Sequence, residues 1–165
     1  MKILNIHGYN GSQENSAAVA LEKLGYNVIS PAINYDSDSP ESIIDELSAV
    51  LYDESPDVVV GTSLGGFFAA VLSARNDLPV ILVNPCLMPF LTLEKLGYKG
   101  NVVEFVPLFW ELSELKLYNT STIVGGQDEI INHNAVTKKF LDNERYKEEP
   151  EGKHSGATLS LEEFF

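Results

Sequence analysis

The chain has 165 residues, a length that suits one domain, and 44% of them are hydrophobic, enough for a substantial core. Its 24 acidic residues against 11 basic ones give a formal charge of −13, a field that opposes nucleic acid, anionic membrane and strongly anionic substrates. The single cysteine, Cys86, excludes an internal disulfide, and no segment approaches the roughly 20 apolar residues of a membrane helix.

These features set the expected setting: a cytoplasmic protein with no nucleic-acid and no membrane partner, suited to neutral or cationic small ligands. Plain solubility is the simpler account of the acidity. The opening M-K-I-L-N-I-H-G holds too short an apolar stretch for a signal peptide.

The pattern alternates strand and helix. Residues 2–6 (K-I-L-N-I) read as a strand. Residues 14–24 read as a helix, with Ala17, Ala20, Leu21 and Leu24 on one face and Gly25 as its stop. A second strand follows at 26–30. Ser39 then caps, and Pro40 opens, a helix with Ile43, Ile44, Leu47, Val50 and Leu51 at helical spacing. The third strand, 57–61, carries Val58, Val59 and Val60 in a row, with no alternation. A strand apolar on both faces is covered on both faces, as in a parallel sheet flanked by helices.

A buried helix at about 64–75, strands at 79–83 and 120–124, a helix at about 132–141 and a weak, charged edge strand at 144–148 complete the series. The tail L-S-L-E-E-F-F reads as a last helical turn. The fold class is therefore α/β: a doubly wound, mostly parallel sheet of about six strands with helices on both faces. One segment, 86–118, interrupts the alternation. It has no strand, is rich in large apolar residues and is helical in pattern over about 104–117. It is either an ordinary crossover or a cap over a site, and one segment can do both.

Between the third strand and the helix after it stands G-T-S-L-G-G, residues 61–66. The pattern G-x-S-x-G in this context marks a turn so sharp that its serine takes a strained backbone and its neighbours two positions away must be small. Ser63 would then stand clear above the strand ends, with the Leu64 N–H at the helix start aimed where an oxyanion would form. A phosphate cradle is the competing use of glycine-rich turns. Here the middle glycine of G-x-G-x-x-G and the P-loop lysine are both missing. A purely structural tight turn is the other alternative.

A serine needs a base to be nucleophilic at neutral pH, and the base needs a carboxylate to hold its tautomer. Three histidines are available: His7 after the first strand, His133 at a helix start, and His154 in E-G-K-H-S-G after the weak sixth strand. His154, beside glycines at the same sheet edge as Ser63, is the favoured base. His133 reads as a surface residue and His7 as structural. Asp128 in G-G-Q-D-E-I follows the fifth strand and is the favoured acid, with Glu129 as the alternative. The order Ser63, Asp128, His154 is the one this chemistry takes on α/β-hydrolase sheets. In a doubly wound sheet the loops after the first and third strands flank one crevice, so the Tyr9 N–H can face the same oxyanion from the other side. A metal site built on the histidines has no ligand spacing behind it, and Cys86 has no visible activating neighbour.

The motifs I-H-G-Y-N-G-S, G-T-S-L-G-G-F-F-A, N-P after the fourth strand, G-G-Q-D-E-I and G-K-H together resemble the small bacterial esterases of the YqiA-like group in the α/β-hydrolase superfamily. The resemblance runs over nearly the whole chain. It implies a trimmed hydrolase sheet lacking the usual first two strands, a catalytic triad of Ser63, His154 and Asp128, and an oxyanion hole from the Tyr9 and Leu64 amides. One departure is that Ser155-Gly156 follow His154 where the group has an aromatic two residues on.

The expected function is that of a serine esterase cleaving small, uncharged, short-chain esters through an acyl-enzyme, with no metal or organic cofactor. Leu87, Met88, Phe90, Phe109 and Trp110 are the expected acyl-side wall. A thioesterase, and a hydrolase-like binding or scaffold protein with an idle triad, are the alternatives.

Overall fold

Runs of β-branched residues build the centre of the sheet. In this computed structural model, which describes residues 1–131 and 134–165, six strands align as β1 (Lys2–Ile6), β2 (Asn27–Ile29), β3 (Val58–Thr62), β4 (Val80–Val83), β5 (Thr120–Gly125) and β6 (Tyr146–Glu149). Their order is β2-β1-β3-β4-β5-β6, and all five pairings are parallel. The chain reverses its direction of growth between β2 and β3. The loops after β1 and β3 therefore leave neighbouring strands, with Ile6 level with Gly61. His133, one of the candidate bases, lies outside the described residues.

The sheet divides the core in two. On one side Leu4, Ile6, Val59 and Leu82 pack under α2 (Pro40–Glu54) and α3 (Leu64–Asn76). On the other, Ile3, Val58, Val60, Ile81, Val83 and Ile123 meet Ala17 and Leu21 of α1 (Ser16–Lys23) and Leu159 and Leu161 of the tail. Alternate residues of one strand thus serve opposite layers, as the unbroken valine run requires. α2 starts where Ser39 Oγ accepts from the Ser42 N–H at 3.1 Å, which satisfies one of the free first-turn donors. Charged β6 lies at the sheet edge, as its composition suggests.

Segment 86–118 holds no strand. It runs through α4 (Pro89–Thr92), a 3₁₀ turn at Leu93–Leu96, and a helical stretch from 102 to 114 whose middle is α5 (Val106–Glu111). The single helix expected at 104–117 is therefore shorter and mixed in type, with Pro107 in the first turn of α5. Phe105, Leu108 and Leu112 are fully buried, and Phe105 meets Phe67 and Phe68 of α3 at ring-centroid distances of 5.6 and 6.0 Å. Each such side chain contributes about 1.5–3 kcal/mol by leaving water. This half of the segment is core wall rather than a detachable lid. The last described α-helix, α6 (Asn134–Leu141), precedes β6, and two short 3₁₀ helices follow it in the tail.

An ion pair pins α5 to α3. Arg75 donates from Nε to Glu111 Oε2 at 2.6 Å and from Nη2 to Oε1 at 2.8 Å. This two-pronged contact holds the Glu111 carboxyl below its usual range. A carboxyl whose folded pKa is lowered adds stability above its unfolded pKa and loses it as pH falls through the folded value. Glu111→Gln is expected to cost up to about 1 kcal/mol at neutral pH, the ceiling for a partly exposed pair. In urea titrations the difference from wild type should vanish in acid, and a difference independent of pH would contradict the assignment.

Candidate active site

The turn between β3 and α3 has no room for a side chain two positions either side of Ser63, at Gly61 or at Gly65. Ser63 itself lies at φ 55°, ψ −119°, a strained conformation for a residue with a Cβ. A methyl group on Gly65 would strike the backbone oxygens of Ile6 and His7, and one on Gly61 would strike the Gly65 carbonyl. Glycine at these positions lets α3 lie directly on the ends of β1 and β3. The turn is fastened by Ser63 N–H donating to Val83 O and Cys86 N–H donating to Ser63 O, both at 2.9 Å. Leu64 is the first residue of α3, so its amide is one of the donors a helix leaves unsatisfied.

Two other loops converge on this rim. After β5, Asp128 has a fully buried side chain. Its Oδ1 accepts the Ile130 and Ile131 N–H groups, each at 2.8 Å. His154 Nδ1 lies 2.9 Å from Asp128 Oδ2 and 3.0 Å from Oδ1. An ionised carboxylate only accepts, so Nδ1 carries a hydrogen, and the neutral form of this ring has its lone pair on Nε2. Glu129 meets the His154 backbone rather than its ring: the His154 N–H donates to Glu129 Oε2 at 3.1 Å. The Glu129 N–H and that of His154 together hold the Glu129 carboxyl below its usual range.

The loop after β1 is shaped by His7. Its ring is buried, with Nε2 accepting the Ile33 N–H at 3.3 Å and Nδ1 therefore donating to Gly8 O at 2.9 Å. Buried Tyr35, its phenol pKa pushed up by burial, donates to His7 O at 2.6 Å. With both ring nitrogens engaged, His7 has no free atom for proton transfer. Gly8 lies against the Ser63 turn: a methyl group there would come within 2.9 Å of Ser63 Cβ. Tyr9 follows, its hydroxyl donating at 3.0 Å to Asp36, which also accepts the Lys99 N–H at 3.0 Å.

Ser63, Leu64, Tyr9 and His154 all line one cavity of about 210 Å³, walled among the described residues also by Asn10, Cys86, Leu93, Leu96, Ile130 and Ile131. Among the described residues no hydrogen bond joins the Ser63 hydroxyl to the His154 ring, and no three His, Cys, Asp or Glu side chains converge as metal ligands. Cys86 is buried and its thiol is pushed up to about 12 by burial, so it stays protonated at neutral pH.

The sequence model of the uncharacterised protein family UPF0227 matches residues 2–149. The chain belongs to this family. This is the YqiA family that the motifs resemble. Solved structures with the same α/β-hydrolase fold include three that cover 99% of this UPF0227 chain. One comes from work on carboxylesterases of the thaumarchaeon Nitrososphaera gargenis, with 16% identity, TM-score 0.64 and 86% of that chain covered. Est1E from Butyrivibrio proteoclasticus has 19% identity, TM-score 0.65 and 82% coverage. A serine hydrolase homologue from Coxiella burnetii has 18% identity, TM-score 0.64 and 82% coverage. No helix among the described residues is long and apolar enough to cross a membrane.

The expected acyl-side wall is not the one beside Ser63 in the UPF0227 chain. Leu87, Met88 and Phe109 line a separate, much smaller hollow with Val136, Thr137 and Phe140. Phe90 packs edge-on against Phe109 at 5.3 Å, and Trp110 is exposed. The reason is the direction of the turn after α4. Leu93 and Leu96, three apart on one face, swing toward Ser63, while Phe90 faces away onto α5. Ile130 and Ile131 enter because Asp128 draws in their amides. The aromatic absent after His154 is replaced by hydrogen bonds, with Thr158 Oγ1 accepting the Lys153 N–H at 2.8 Å and donating to Ser155 O at 2.8 Å. Gly65→Ala is expected to cost about 3 kcal/mol or more by overpacking against β1 backbone. Urea denaturation of the variant checks this, and near-normal stability would mean the turn can relax.

Proposed function

We propose that this chain is a serine hydrolase of the esterase type, with Ser63 as nucleophile, His154 as base and Asp128 as the group that orients it. One observation carries the reading. A fully buried carboxylate holds Nδ1 of a histidine that shares a cavity with a serine on a left-handed strand–helix turn. Such a backbone is costly and persists where a side chain must be presented.

His154 Nε2 takes the Ser63 proton as Oγ attacks the carbonyl carbon. The tetrahedral oxyanion is met by the Leu64 and Tyr9 amides, and Asp128 stabilises the imidazolium. The imidazolium gives its proton to the leaving alcohol as the C–O bond breaks. Water, deprotonated by the same nitrogen, then attacks the acyl carbon; the Ser63 Oγ–C bond breaks, Oγ takes the proton back from His154 and the acid leaves.

The cavity argues for small, uncharged acyl groups. At about 210 Å³ it is below the roughly 300 Å³ at which drug-sized sites begin. Leu93, Leu96, Ile130 and Ile131 line it, and among the described residues no lysine or arginine does. Thioesters share the same carbonyl chemistry and are tested alongside.

A fluorophosphonate probe should label Ser63 of the wild type, and chromogenic esters should be cleaved with rates falling as the acyl chain lengthens. Ser63→Ala and His154→Ala should each lose about 10⁶ in kcat and Asp128→Asn about 10⁴. Wild-type activity equal to that of Ser63→Ala would refute the proposal. A folded protein that neither labels nor turns over would favour a binding role for the fold.

A further inference from the structure

We infer that Asn84, which no part of the triad chemistry uses, is the positioning residue that sets His154 in register with Ser63. The inference rests on the proposed reading of Ser63 and His154.

Asn84 follows β4 and is buried, with a left-handed backbone at φ 43°. Its side chain leaves no polar atom unused. Nδ2 donates to Lys153 O at 2.8 Å and to His154 O at 2.9 Å. Oδ1 accepts the Gly125 N–H at 2.8 Å. The backbone N–H donates to Ile123 O at 2.9 Å. One residue therefore ties the end of β4 to the end of β5, and reaches past it to the carbonyl of the proposed base itself.

The same short segment also holds the nucleophile. Two residues on, the Cys86 N–H donates to Ser63 O at 2.9 Å. Between them, Pro85 packs on Gly66, whose added methyl would lie 2.9 Å from Pro85 Cβ. Residues 84–86 thus form a strap with one end on the Ser63 turn and the other on the His154 loop. The two loops come from strands separated by β4 and β5, so their spacing cannot be set by direct strand pairing. His154 is fixed at three points: its ring by Asp128, its N–H by Glu129 and its carbonyl by Asn84.

The side chain at this position must tolerate positive φ, donate two hydrogens to adjacent carbonyls and accept one from an amide. Asparagine and aspartate tolerate that backbone better than other residues with side chains. Aspartate lacks the two donors, serine is too short to span both loops, and glycine offers nothing. A buried carbonyl that loses its partner is costly, so the 153–154 loop would shift to find water.

Asn84→Gly keeps the backbone conformation and removes the amide. Asn84→Asp keeps the acceptor for Gly125 and loses donor capacity toward Lys153 and His154. Each full-length variant is compared with wild type by melting temperature, by ester kinetics and by the downfield proton resonance of His154 Nδ1 held against Asp128. The expected result is a folded protein in which kcat falls roughly 10²-fold, the scale for displacing a reacting group by about 1 Å, with KM little changed. The Nδ1 resonance should broaden or disappear. If the glycine variant does not fold, the aspartate variant carries the same expectation.

Unchanged kcat with an intact resonance overturns the inference, as does a loss of rate no larger than the loss of folded protein. If the wild type neither hydrolyses nor labels, the functional reading fails by itself. The resonance then decides the positioning role: its loss in the variants supports the strap, and its survival overturns it.

Discussion

The helix after Ser63 can begin where it does because Gly65 brings its backbone against the carbonyl oxygens of Ile6 and His7, leaving no space for a Cβ. That approach sets several features at once. It seats α3 on the seam between β1 and β3, it forces Ser63 into the left-handed region, and it brings the β1 loop with Gly8 alongside the serine side chain. The strain at Ser63 is offset by the layer above it, where α3 buries Phe67, Phe68 and Leu72 beneath Phe105 and Leu108. A stable core on one face therefore sustains an unfavourable backbone at the rim.

Electrostatics at the rim run against the bulk of the chain. The protein carries a formal charge of −13, yet at this point a carboxylate is withdrawn completely from solvent. Two backbone amides and one ring N–H satisfy it. A buried acid needs such partners, since an unpaired charge would neutralise itself instead. Here the partners do double work, because the same amides bring Ile130 and Ile131 into the cavity wall.

What sequence could reveal depended on whether a residue's demand was local. Val58-Val59-Val60 required a two-sided strand, and Gly61 and Gly65 stated a steric need readable at fixed spacing. That Asp128 and His154 would meet was legible because both follow strands at one edge of a parallel sheet. The cavity wall was not legible. Whether Phe90 or Leu93 turns toward Ser63 depends on how a four-residue helix passes into a 3₁₀ turn, and apolar composition is the same for both outcomes. Asn84 was visible only as part of an N-P pair. Its bonds reach residues 41, 69 and 70 positions away, and no spacing rule predicts such reach.

The proposed nucleophile and the proposed base stand on ground of unequal firmness. Ser63 rises from the middle of the sheet, flanked by β1 and β4 and roofed by α3. His154 hangs from the chain just beyond β6, an outermost strand of four residues with exposed charges at Lys147 and Glu148. Outer strands open more easily than central ones. Warming should therefore detach the imidazole while the valine-rich interior is still intact. Turnover would fade at temperatures where spectroscopic signatures of the fold persist, and cooling would restore it without any refolding of the core.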